Sequence, residues 1–177
     1  MGYWNRKNEL KKKANAHTNK MEELYSLEIT ECVHNTKIYD QGFYCKKECD
    51  SKPDFHQKIT VEDMDSVQAI FSYENTGKTV VLNFASYKNP GGKFLDGSSA
   101  QEEMLCHSSF LYNVLSEFNE DYYEFNRLTK NFALYTNRAL YSPDVLFIRG
   151  DEEICVDVIT CAAPNKTAAQ KYCGKSD

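Results

Sequence analysis

Residues 78–103 read Lys78-Thr79-Val80-Val81-Leu82-Asn83-Phe84-Ala85-Ser86-Tyr87-Lys88-Asn89-Pro90-Gly91-Gly92-Lys93-Phe94-Leu95-Asp96-Gly97-Ser98-Ser99-Ala100-Gln101-Glu102-Glu103. The first eight residues form a near-continuous apolar and β-branched run, which predicts a buried strand. A loop rich in Gly, Pro and Asn follows from Ser86 to Ser98, and a helix is expected from about Ala100 to Phe118. Strand, glycine loop and helix in this order is where α/β proteins bind phosphates. Glycines let the main chain approach a ligand, and the free N–H groups of a helix start attract anions. Ligands on open α/β sheets lie just beyond the carboxyl ends of strands, where this loop sits. No Gly-Lys-Ser/Thr ends it and the G-x-G-x-x-G spacing is absent, so it is neither a Walker loop nor a dinucleotide fingerprint. Ser99-Ala100-Gln101-Glu102 also fits a capping box, with Glu102 reaching back to Ser99. Capping leaves Glu103 unexplained.

Outward from this stretch, strands alternate with helices, which defines an α/β sheet domain. Residues 5–35 are expected to be helical, because Leu10, Ala14, His17, Met21, Leu24 and Tyr25 recur at three- and four-residue steps. Lys11, Lys12 and Lys13 then fall on a solvated face. Asp50-Ser51-Lys52-Pro53-Asp54 signals a loop, and Gln57 to Val61 a short strand. Asp63 is a candidate cap for a helix through Val67, Ile70 and Phe71, stopped by Asn75-Thr76-Gly77. Residues 119–143 read as a long, partly ordered connection. Asp144 to Ile148 and Ile154 to Thr160 are two further apolar strands, followed by Cys161-Ala162-Ala163-Pro164-Asn165 and a polar tail. The domain is thus read as one unit over 1–177, with an N-terminal helical segment (1–35) and a sheet core (78–165).

The 177 residues carry 21 Lys+Arg against 26 Asp+Glu, a formal net charge of −5, with 41% hydrophobic residues. That suffices for one packed core, and the acidic balance argues against general nucleic-acid coating. No apolar run of about 18 residues exists, so no membrane helix is expected. The start, Met1-Gly2-Tyr3-Trp4-Asn5-Arg6-Lys7, does not resemble a secretory signal. Seven cysteines without a Cys-x-x-Cys pair fit reduced thiols, and a cytoplasmic location is expected. Cys45 and Cys49, with His34 and His56, have partial zinc-site spacing but lack a second ligand pair, so the expectation is no metal. Cys106 beside His107 is a poor nucleophile pair, since adjacent helix residues point about 100° apart. The aromatics Phe118, Tyr122, Tyr123 and Phe125 read as a satellite core, with base stacking as the other use.

The stretch from Gly91 to Glu103 resembles the signature of the poly(ADP-ribose) glycohydrolases: a run of glycines, a short spacer and Gln-Glu-Glu. Val81–Ser86, Asn89–Gly92, Ser109–Tyr112, Tyr141–Val145 and Val158–Asn165 are similar to words of that family's microbial branch, in the same order. The resemblance spans about residues 5–165. It implies a macrodomain, a mixed sheet flanked by helices with ADP-ribose in a cleft. It also implies that Glu103 protonates the departing oxygen of the ribose–ribose bond, while Glu102 holds a ribose hydroxyl. Gln101 would shape the loop, Gly91 and Gly92 would approach the diphosphate, and Asn89 would turn towards the ribose. Asn83 and Ser86 are further pocket candidates. The chemistry passes through an oxocarbenium-like state and needs no cofactor.

Two departures from the pattern bear on function. The family's third glycine is Lys93, which could supply a cation to the diphosphate. The further strands, helices and second glycine-rich loop of family members have no counterpart, so the fold is expected to be incomplete at its C-terminal side. A sheet edge and an apolar face would then be uncovered, open to a partner segment that completes the fold. A hydrolase acting on ADP-ribose or poly(ADP-ribose) on modified proteins is the first expectation. A non-catalytic ADP-ribose-binding module and an inactive fragment are the alternatives.

Overall fold

The computed structural model of the chain describes residues 3–40, 58–73, 77–129 and 131–172. Cys45, Cys49, His56, the 50–54 loop, and the Asn75 and Thr76 of the helix stop lie outside them. The first helix, α1 (Tyr3–Asn35), is interrupted at Tyr25, whose φ of −129° is not helical. Ala14, Met21, Ile29 and Cys32 form its buried stripe, and Lys11, Lys12 and Lys13 face solvent. Leu24, expected on the apolar stripe, instead faces solvent at the interruption.

The four strands are β1 (Lys37–Tyr39), β2 (Val80–Phe84), β3 (Ala139–Arg149) and β4 (Glu152–Cys161), in the order β1-β3-β4-β2. The β1–β3 and β3–β4 pairs are antiparallel, and β2 runs parallel to β4 with Leu82 opposite Ile159. The result is an open mixed sheet flanked by helices. Gly150, at φ +64°, turns β3 into β4. A register shift between Ser142 and Val145 accommodates Pro143 and puts Asp144 at φ +53°. The Asp144 N–H then donates to Asp157 (3.2 Å), which also takes Lys78 Nζ at 2.8 Å and the Tyr141 hydroxyl. Burial alone would push the Asp157 carboxyl up; these donors outweigh it and hold it below its ordinary value.

Four short helices surround the site region: α2 (Ser66–Ser72), α3 (Gln101–His107), α4 (Leu111–Glu117) and α5 (Phe125–Leu128). The cap of α2 is Asp65, not Asp63: its side chain accepts from Gln68 N while Gln68 returns to Asp65 N. Lys58 to Val61 form no strand, and Ile59 and Val61, without a pairing partner, are exposed. The expected 100–118 helix is two helices. Ser108 O accepts from Ile148 N (2.7 Å), and Ser109 Oγ both donates to Leu105 O and accepts from Leu111 N. His17 Nε2 sits 2.8 Å from Ser109 O. Those bonds tie the break to β3 and α1, so tertiary contacts override the helical pattern.

The described residues of the 119–143 stretch are more regular than expected. A π-helical turn (Asn119–Glu124) buries Tyr122 and Tyr123, edge-on to one another, and β3 begins at Ala139 rather than Asp144. Leu105, Phe110, Leu111, Val114 and Leu115 pack with Leu140, Val145, Phe147, Val156 and Val158 as the main core. The expected buried strand lies at the sheet edge: Val80, Leu82 and Phe84 are exposed beside Ile159 on one face. The tail forms α6 (Lys166–Tyr172), capped by Asn165 Oδ1 accepting from Ala168 N (2.9 Å). Among the described residues, no helix is long and apolar enough to cross a membrane.

Candidate active site

The site forms where β2 ends, the glycine loop turns and α3 begins. Gly91 and Gly92 have φ values of +61° and +62°, a region that glycine enters at little cost. A Cβ on Gly91 would meet Tyr112 Cδ2 at 2.8 Å and Cys106 Sγ at 3.2 Å. On Gly92 it would lie 2.6 Å from Glu103 Oε1 and 2.8 Å from Glu102 Oε2. Gly92 therefore brings main chain against both carboxylates. A one-turn 3-10 helix (Phe94–Asp96) follows, ending at Gly97. Gly97 (φ +78°) sits so close to α1 that a Cβ would be 2.2 Å from Lys7 O. This contact fixes the loop on the first helix.

Glu102 and Glu103 are 4% and 6% exposed. The capping-box reading fails: the residue before α3 is Ala100, with no side-chain cap. Glu102 turns instead to β2, where Oε2 accepts from Ser86 N (2.7 Å) and Oε1 from Asn83 Nδ2 (3.4 Å). Burial, partly offset by those two donors, pushes the Glu102 carboxyl up to about 7. Asn83 Nδ2 also reaches Thr160 Oγ1 on β4 (3.3 Å). Ser86 Oγ accepts from Asn89 N at 3.3 Å, which turns the chain towards Gly91. Glu103 Oε1 accepts from Lys93 N at 2.9 Å. Its other oxygen, Oε2, is buried with no hydrogen-bond partner, as is Asn83 Oδ1. Two buried polar atoms without partners, one on β2 and one on α3, are groups that a polar ligand could satisfy.

Gln101 is placed differently from the other expected residues. Its Nε2 donates to Leu82 O (2.8 Å) and Ser66 Oγ (3.2 Å), and its Oε1 accepts from Phe84 N (2.9 Å). The amide thus closes part of the free edge of β2 and ties α3 to the strand and α2. Thr160, a buried hydroxyl directly after Val158-Ile159 on β4, anchors Asn83, and its place at the end of an apolar strand is the one sequence signal for it. Cys106 is completely buried, and burial drives its thiol well above the ordinary value. The His107 ring packs edge-on against Phe94, with centroids 4.6 Å apart. No nucleophile pair forms there. Tyr122 and Tyr123 are core, and the Arg138 guanidinium lies 4.0 Å from the Phe125 ring.

The end of a strand in an open mixed sheet, a left-handed double glycine and two adjacent buried carboxylates come together in one strand–loop–helix unit, which defines an α/β protein with a candidate site at a strand end. The sequence profile described as microbial-type PARG, catalytic domain, matches residues 8–150, and the chain belongs to that family. Among solved structures it is similar to the poly(ADP-ribose) glycohydrolase from Thermomonospora curvata bound to the inhibitor ADP-HPD: 26% identity and TM-score 0.74, covering 91% of this chain and 65% of that one. It is also similar to the poly(ADP-ribose) glycohydrolase from Deinococcus radiodurans in complex with ADP-ribose, at 32% identity and TM-score 0.67, over 81% and 61% of the two chains. The chain therefore spans somewhat under two-thirds of the length of these structures. No curated protein matches it significantly.

Proposed function

We propose that the chain is the macrodomain core of a poly(ADP-ribose) glycohydrolase that cleaves ribose–ribose O-glycosidic bonds, with Glu103 as proton donor. The observation that carries this is the asymmetry of the Glu103 carboxyl. One oxygen, Oε1, is pinned by Lys93 N and lies against the Gly92 main chain, while the other, Oε2, is buried and unpartnered. A protonated Oε2 gives its proton to the departing ribose oxygen as the C–O bond breaks. Positive charge on the anomeric carbon is then met by water, whose hydroxyl joins that carbon while its proton returns to the Glu103 carboxylate. Glu102, with both oxygens engaged by Ser86 and Asn83, is suited to holding a ribose hydroxyl rather than delivering a proton. Its carboxyl is the one pushed towards neutrality, yet reach decides the donor before proton affinity does.

Gly91 and Gly92 line the approach of the diphosphate, Lys93 holds Glu103 through its main-chain N–H, Asn89 and Ser86 set the turn towards the ribose, and Gln101 holds α3 in register with β2. The ligands named for the solved relatives, ADP-ribose and ADP-HPD, support this substrate class. The exposed outer side of β2 is closed, on this reading, by a polypeptide segment that completes the sheet. Incubation with labelled poly(ADP-ribose) tests the proposal: the wild type releases ADP-ribose and Glu103→Gln does not. A folded wild type that releases none above background would remove the hydrolase reading. Lys93 at the third glycine position favours a second reading, a binding module without turnover. Calorimetry with ADP-ribose, run beside the release assay, separates the two.

A further inference from the structure

A cavity of about 340 Å³ lies between the first turns of α1 and the far side of the glycine loop, outside the Glu102–Glu103 cleft. Its walls carry Arg6, Lys7 and Lys93 as cations, Asp96 as the single carboxylate, and the hydroxyls of Ser98 and Ser99. Three positive groups against one negative leave +2 at this spot, on a chain whose net charge is −5. The concentration of cations runs against the overall balance, and such a concave basic wall attracts anions. The wall is also held in place. Gly97 abuts Lys7 O, and Ser98 N donates to Lys93 O at 3.1 Å, so the two basic segments are fixed against each other. Lys93 belongs to both places: it is part of the cavity wall, and its main-chain N–H holds Glu103 Oε1.

Resting on the functional reading above, we propose that this cavity is a second diphosphate subsite, which takes the diphosphate of the polymer unit next to the one bound in the cleft. The volume is near the lower end of ligand pockets, enough for a diphosphate and part of a sugar but not a whole ADP-ribose. Lys93 is the one residue that joins the cavity to the proposed proton donor. The chain then recognises oligomers more tightly than the monomer.

The test uses the full chain and the double variant Arg6→Gln/Lys7→Gln. Both side chains lie outside the cleft, and only the main chain of Lys7 contacts Gly97. Calorimetry with ADP-ribose and with a short ADP-ribose oligomer is expected to show tighter binding of the oligomer. In the variant, oligomer affinity falls about tenfold and its salt dependence weakens by about two charges, while ADP-ribose affinity stays within twofold. Inorganic pyrophosphate, followed by amide NMR, should shift Lys7, Ser98 and Ser99 saturably in the wild type only. Unchanged oligomer affinity in the variant, or an equal loss for monomer and oligomer, would overturn the subsite while leaving the cleft reading intact. Saturable pyrophosphate shifts without binding of ADP-ribose in any form would remove the functional reading and the polymer assignment together. A melt of the variant matching the wild type excludes misfolding as the cause of a loss.

Discussion

The two sides of β2 are built to different standards. On the inner side Asn83 is fully buried, bonded to Thr160 and Glu102, and the glycine loop is locked on α1 through Gly97. On the outer side Val80, Leu82 and Phe84 expose about half or more of their surface, with Ile159 beside them. The same five residues thus serve a packed site and an open apolar face. A strand this apolar is suited to burial on both faces, and the chain covers only 65% of a solved relative. The site needs the inner side alone to position its carboxylates, and that side is complete in its hydrogen bonding except at Glu103 Oε2 and Asn83 Oδ1 among the described cleft residues.

The largest effect is expected at the inner side. Glu103→Gln keeps an acceptor for Lys93 N but removes the transferable proton, so release of ADP-ribose should fall about 10²–10⁴-fold with binding retained; kinetics on labelled polymer measure it. Equal rates would show that the buried, unpartnered oxygen is not the donor.

Next comes Glu102. Its carboxyl is near 7 in the folded chain and ordinary when unfolded, so the folded state holds the proton more tightly. Below the unfolded value both states are protonated and the full stability is present. Stability is lost as pH rises from about 4.5 through about 7, by on the order of 3 kcal/mol. Glu102→Gln should flatten that slope in urea melts taken between pH 5 and 8. An unchanged slope would mean that the inner side is wetter than its burial indicates.

Gly97→Ala should follow, at roughly 2 kcal/mol, from the left-handed backbone and the collision with Lys7 O. Thermal unfolding reads it, and a neutral result would unlock the loop from α1. The smallest effect belongs to the outer side. Leu82→Lys should change the stability of the chain by within about 0.5 kcal/mol. A loss near 2 kcal/mol would mean that this face is already covered, and the comparison between the two sides would fail.

Much of the site was legible because its residues are adjacent in sequence. A glycine pair and two glutamates within one strand–loop–helix unit must meet, whatever the rest of the chain does. The partners were harder to see. Glu102 could cap α3 or turn to β2, and only the position of Ser86, brought round by the loop, decides for β2. Gln101 lies in the same word, yet its amide closes a sheet edge, and that edge exists only once β2 is known to have a single neighbour. The break at Ser108–Ser109 was invisible for the same reason: its hydrogen bonds run to Ile148 and His17, far away in sequence. The buried tyrosines at 122 and 123 were hidden by polar neighbours, whose composition reads as loop although the rings pack. Local pattern carried the chemistry, and long-range contacts decided its surroundings.

The central claim is that the inner side of β2, the glycine loop and the carboxylates of α3 together form an ADP-ribose site. Calorimetric titration of ADP-ribose into the wild type and Gly92→Ala tests it most directly. The account predicts saturable heat with the wild type and its loss in Gly92→Ala, whose methyl group would press on both carboxylates. A folded wild type that gives no heat, or a Gly92→Ala variant that binds as well, would contradict it.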